Sequence, residues 1–131
     1  LALYGMTRWI DNRVPVIQQS GRRATDGFII WTFFHELGHV LGDPRGTTHF
    51  EFKSEKTRNE KAEKQANAFA LKTLFGEEGV APWKGVTADA GIRRIAHEVG
   101  VSPGVAVLQL HRRRMLDYAW GNKLSVNLEW R

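Results

Sequence analysis

The run from Gly27 to about Leu41 constrains this chain more than any other segment. It reads as one helix with apolar residues on every side, among them Phe28, Trp31, Phe33, Phe34, Leu37 and Leu41. Such a helix is expected to be buried. Yet it carries His35, Glu36 and His39. Burying two imidazoles and a carboxylate is costly unless each group has a partner. Asp26 is placed to cap the helix start, and Gly42-Asp43-Pro44-Arg45-Gly46 stops it.

The spacing of those groups says what the partner is. His35-Glu36-Leu37-Gly38-His39 is an H-E-x-x-H motif. Residues four apart on a helix lie about 40° apart around the axis and roughly 6 Å apart along it. Both imidazoles can therefore reach one metal ion. Glu36, turned about 100° from His35, lies beside that ion, where it can take a proton from water that the metal activates. Gly38 marks a need for space, because a mid-helix Gly costs about 1 kcal/mol against Ala.

Composition narrows the donors. The 131 residues contain no cysteine, which excludes disulfides and thiolate metal sites. A metal must be held by His, Asp or Glu. The length fits a single domain with its own core. The lack of cysteine fits a cytoplasmic protein. There is no signal peptide and no apolar run of membrane-spanning length. The net charge of +5 and the Arg112-Arg113-Arg114 run read as a solvated face, so direct nucleic-acid binding is not expected.

A catalytic zinc takes three protein ligands and keeps a fourth position for water. In the extended form H-E-x-x-H-x-x-G-x-x-H, Gly42 fits, but the last ligand position is Arg45, whose guanidinium cannot bind zinc. The remaining source is a downstream helix, which offers Glu55, Glu60 and Glu63. Glu63, Asn67, Ala70 and Leu74 follow helical spacing, which puts Glu63 along the buried edge and Glu60 one step toward solvent. Asn67, one turn on, is placed either to hold His35 in its ligating tautomer or to serve as a surface or structural residue.

The other elements follow from local pattern. Arg8 to Gln19, with Pro15 inside it, reads as a strand pair or an edge strand, and Thr47 to Lys53 as a short strand. Helices are expected from Ser54 to Phe75, from Ala88 to Val99, and from Ser102-Pro103 to about Tyr118. Lys123 to Trp130 reads as a last strand or a loose end. The order implies a small α+β domain, mainly helical, with a modest sheet.

These residues resemble the ImmA/IrrE family of metallopeptidases. The family pairs H-E-x-x-H with a later E-x-x-A-N-x-F-A, matched here by Glu63-Lys64-Gln65-Ala66-Asn67-Ala68-Phe69-Ala70. Pro15-Val16-Ile17, Thr25-Asp26-Gly27-Phe28 and Val101-Ser102-Pro103-Gly104-Val105 extend the likeness from about Trp9 to Leu110. The resemblance implies a minimal thermolysin-like zincin fold, with a small sheet packed against the H-E-x-x-H helix. It implies Zn2+ on His35, His39 and Glu63, with Glu36 as catalytic base.

The resemblance also implies a cytosolic regulatory protease that cleaves a repressor or an antitoxin. Some relatives are fused behind a helix-turn-helix DNA-binding domain, and others sit beside toxin–antitoxin genes. The sequence opens on Leu1 rather than Met, which is compatible with such a fusion. Two positions depart from the pattern. Gln109-Leu110-His111 stands where relatives often carry R-L-Q, and Gly42-Asp43 where a Leu and a nearby His are common. The expected activity is peptide-bond hydrolysis, with His97, His111 and Tyr118 as candidate oxyanion donors. The alternative is a zinc-bearing sensor that controls a regulator without cutting.

Overall fold

The computed structural model describes residues 3–22, 24–52 and 60–128. The chain divides into two compact units. One comprises Leu1–Arg22 with Trp31–Ala70, and the other Arg23–Ile30 with Leu71–Arg131.

The first unit holds a three-stranded antiparallel sheet. Strands β1 (Leu3–Ile10), β2 (Val14–Gln19) and β3 (His49–Phe52) lie in the order β2-β1-β3. Arg8 to Gln19 is thus a strand pair, as its pattern indicated, and β1 extends further back to Leu3. Asp11 and Asn12 make the hairpin turn at φ of 50° and 54°, which their short polar side chains tolerate. Pro15 lies on β2, an outer strand, where its missing N–H breaks no ladder.

Helix α1 (Asp26–Gly42) carries the H-E-x-x-H motif, and α2 (Glu60–Phe75) carries Glu63. The expected start of α2 at Ser54, and with it Glu55 and Lys53, lies outside the described residues. Two expectations about α1 need correction. Its N-terminal cap is Thr25, whose hydroxyl accepts from the Phe28 N–H at 3.4 Å. The Asp26 carboxylate is spent elsewhere, on the Ser102 hydroxyl at 2.7 Å and the Val126 N–H at 3.0 Å. Nor is α1 buried all round, since Ile30, Phe33 and Leu41 are exposed. His35, Glu36 and His39 lie on the buried side.

Within the first unit, α1 meets α2 at the backbone. A Cβ placed on Gly38 would sit 2.9 Å from the Ala66 Cα and 3.1 Å from the Ala66 carbonyl oxygen. The small Ala62, Ala66 and Ala70 form the buried stripe of α2 that permits this approach.

The second unit is built on α3 (Asp89–Val99) and α4 (Pro103–Arg112). Phe75, Trp83, Ile92, Leu110 and Leu116 belong to its apolar core, with Phe75 and Trp83 packed edge-on at 5.4 Å. Ser102 caps α4 by accepting from the Val105 N–H, and Pro103 takes the first turn, as the sequence indicated. The helix ends at Arg112, short of Tyr118. Arg114 turns to φ 56°, and the Met115 N–H returns to the Leu110 carbonyl at 2.9 Å. That turn delivers Leu116 to the core. The tail forms a short 3-10 turn at Asn122–Leu124 and one bridge from Asn127 to Thr25, rather than a strand, up to residue 128.

The Gly38 contact gives a test with an unusual sign. On helix propensity alone, Gly38→Ala would stabilise the protein by about 1 kcal/mol. The contact with Ala66 leaves no room for a methyl group, so the substitution is expected to destabilise by about 1–3 kcal/mol. Thermal unfolding distinguishes the two, and a raised Tm would contradict the packing described.

Candidate metal centre

Three side chains from two helices converge in the first unit. The Nε2 atoms of His35 and His39 lie 3.2 Å apart. The Glu63 carboxylate spans them, with Oε2 3.0 Å from His35 Nε2 and Oε1 2.9 Å from His39 Nε2. One ligand atom from each residue lies within 4.8 Å of the other two. The one-turn spacing on α1 sets the two rings on the same face, and the Gly38–Ala66 approach brings α2 close enough for Glu63 to reach both.

The outer nitrogens decide the chemistry. His35 Nδ1 lies 2.8 Å from Asn67 Oδ1, and His39 Nδ1 lies 2.8 Å from Asp43 Oδ2. Both partners are acceptors, so each Nδ1 carries the proton and donates it. Each Nε2 is then left with a lone pair. Two lone pairs and a carboxylate facing one another are satisfied by a shared proton or by a metal cation between them. Two imidazoles and one carboxylate with carbonyl or carboxylate partners behind the rings is a donor set that zinc takes.

The electrostatics show the same competition. Burial pushes the Glu63 pKa up, but hydrogen bonds from His35 and His39, together with their charge, outweigh it and bring it from 4.5 to about 2. Burial lowers the His39 pKa, and so does the charge of His35. The hydrogen bonds to Glu63 and Asp43 more than offset this, so the net shift is upward from 6.5. A metal at this centre therefore displaces a proton that the cluster holds, and its affinity falls as pH falls.

Glu36 is 0 % exposed and stands outside the three-residue ligand cluster. Its Oε2 accepts a hydrogen bond from the hydroxyl of Thr7 on β1. Glu60 is exposed, as the helix pattern indicated. Arg45 is exposed too, with its guanidinium 5.9 Å over the Trp9 ring. Of the candidate oxyanion donors, all in the second unit, His97 is exposed on α3 and Tyr118 is exposed beyond α4. His111 is buried and donates from Nε2 to the Trp120 carbonyl at 2.8 Å, so that nitrogen already has a structural partner.

Two residues at this centre escaped the sequence reading. Asp43 had a usable signal, because it lies four residues after His39 and so one turn further on the same face. Thr7 had none, since its relation to Glu36 depends on how β1 packs on α1. The chain matches the Peptidase_M78 family, described as IrrE N-terminal-like domain, over residues 21–111. No curated protein and no solved structure matches it.

The shifted groups fix how the metal-free protein responds to pH. Glu63, with a folded pKa of about 2 against 4.5, contributes stability that is present above 4.5 and lost as pH falls through about 2. His39, raised above 6.5, contributes stability that is present below 6.5 and lost as pH rises through its higher folded value. Urea denaturation of chelator-treated protein is expected to show these contributions greatest between 4.5 and 6.5. Glu63→Gln should flatten both flanks, and an unchanged profile in that variant would contradict the cluster.

Proposed function

Because this chain belongs to the ImmA/IrrE family of metallopeptidases, we propose that it is a zinc endopeptidase of the cytoplasm whose substrate is a regulatory protein, such as a repressor or an antitoxin. The observation that carries the zinc reading is the pair of Nδ1 hydrogen bonds to Asn67 and Asp43, which turns both Nε2 lone pairs toward Glu63. His35, His39 and Glu63 would hold the ion. When bound there, zinc acidifies water and polarises the scissile carbonyl as a Lewis acid.

The remaining work falls to the chain itself. Glu36 accepts the proton of the attacking water on its carboxylate and hands it to the leaving amine nitrogen. Asn67 and Asp43 keep the imidazoles in one tautomer and one orientation. The buried apolar setting of the motif limits bulk water around the base. Among the described residues no helix is long and apolar enough to cross a membrane. A helix-turn-helix protein, fused or encoded nearby, is the partner this reading favours.

A zinc-holding sensor that never cuts is the competing account. It needs no carboxylate at position 36. Burying Glu36 fully and supplying it with a hydroxyl donor would then be a cost without a use. Glu36→Gln separates the two accounts. The variant is expected to bind one equivalent of zinc like the parent and to lose cleavage of the regulator by about 10²–10⁴-fold. Undiminished cleavage by that variant would rule out the mechanism.

A further inference from the structure

We propose that Thr7 is the positioning residue of the general base: its hydroxyl, presented by the central strand β1, fixes the Glu36 carboxylate through Oε2. The proposal rests on the reading of Glu36 as that base.

Thr7 is 1 % exposed, and β1 alternates around it, with Arg8 exposed on the other face. An ionised carboxylate only accepts hydrogen bonds, so the Thr7 hydroxyl is the donor. The hydroxyl is held from both sides. Threonine branches at Cβ, which stiffens χ1. The strand beneath it is paired on both edges, with Thr7 opposite Ile17 of β2 and His49 of β3. A donor on such a strand moves little.

Gly5 completes the slot. It is two residues before Thr7 on the same face of β1. A Cβ on Gly5 would sit 2.9 Å from Thr32 Cγ2 and 3.5 Å from both Glu36 Cγ and Glu36 Oε1. Thr32 is buried one turn before Glu36 on α1. The tight contact is with the Thr32 methyl, so Gly5 lets α1 approach β1 closely, and that approach brings the Glu36 carboxylate within reach of the Thr7 hydroxyl. For a structural glutamate this would be an expensive arrangement, since an apolar residue would fill the space without desolvating a charge. For a base it is useful, because proton transfer demands a fixed angle and small misplacements cost large factors in rate.

The test compares Thr7→Val, which keeps the shape and removes the hydroxyl, with Thr7→Ser, which keeps the hydroxyl. Zinc-loaded full chains are assayed on β-casein, and zinc affinity is measured by chelator competition. Thr7→Val is expected to lower kcat about 10–100-fold with KM and zinc affinity within about twofold, and Thr7→Ser to recover most of the loss. A Thr7→Ala and Thr7→Ser pair makes the same comparison if the valine variant does not fold.

A second readout needs no activity. In metal-free protein, the Tm shifts of Thr7→Val and Glu36→Ala should be non-additive in the double variant. Additive shifts would overturn the proposal whatever the cleavage result, and so would wild-type kcat in Thr7→Val. If Glu36→Gln itself cleaved normally, the reading of Glu36 as base would fall instead, so the two failures are distinguishable.

Discussion

The centre depends on two hydrogen bonds made away from it. Asn67 takes the Nδ1 proton of His35, and Asp43 takes that of His39. These contacts leave the inner nitrogens basic and directed at one point. Without them either ring could flip or change tautomer and turn a different nitrogen toward Glu63. With them, the two imidazoles and Glu63 are short of positive charge by construction. The depressed Glu63 pKa and the raised His39 pKa express that shortage in the absence of metal.

The backbone arrangement exists to hold this geometry. Glu63 comes from a different helix, so the cluster closes only if α1 and α2 approach at backbone distance. Gly38 and Ala66 supply the approach, one residue before His39 and three after Glu63. On its other side α1 meets β1, where Gly5 and Thr7 receive Glu36. The His35–His39–Glu63 cluster and the Glu36 carboxylate thus face different neighbours. Within one helix turn, a cluster closed by α2 and a carboxylate held by the sheet point in different directions, about 100° apart between His35 and Glu36.

Much of this was legible in the sequence because it is local. H-E-x-x-H is one helical turn, and helix geometry alone puts His35 and His39 on one face. Glu63 and Asn67 share a face at i, i+4 spacing, and Arg45 excluded the extended motif by its chemistry. Gly38 announced a close contact without naming Ala66. The misreadings involve residues whose local role was overridden by a distant partner. Asp26 has the chemistry of a cap, but Ser102 and Val126 claim its carboxylate and Thr25 does the capping. Asp43 reads as part of a helix stop, yet its carboxylate pairs with His39 Nδ1. The end of α4 carries no Gly or Pro, since the turn at Arg114 is driven by placing Leu116 in the core. Thr7 is one unremarkable residue on a strand until α1 packs against it.

The central claim is that His35, His39 and Glu63 form one zinc site with a nitrogen and oxygen donor set. Zinc-edge X-ray absorption of the protein loaded with one equivalent measures it most directly. The account predicts a first shell of nitrogen and oxygen at about 2.0–2.2 Å, with the outer-shell signature of two imidazoles. It also predicts that Glu63→Ala removes one protein oxygen donor and weakens binding. A shell with no imidazole, or a zinc affinity that Glu63→Ala leaves unchanged, would contradict it.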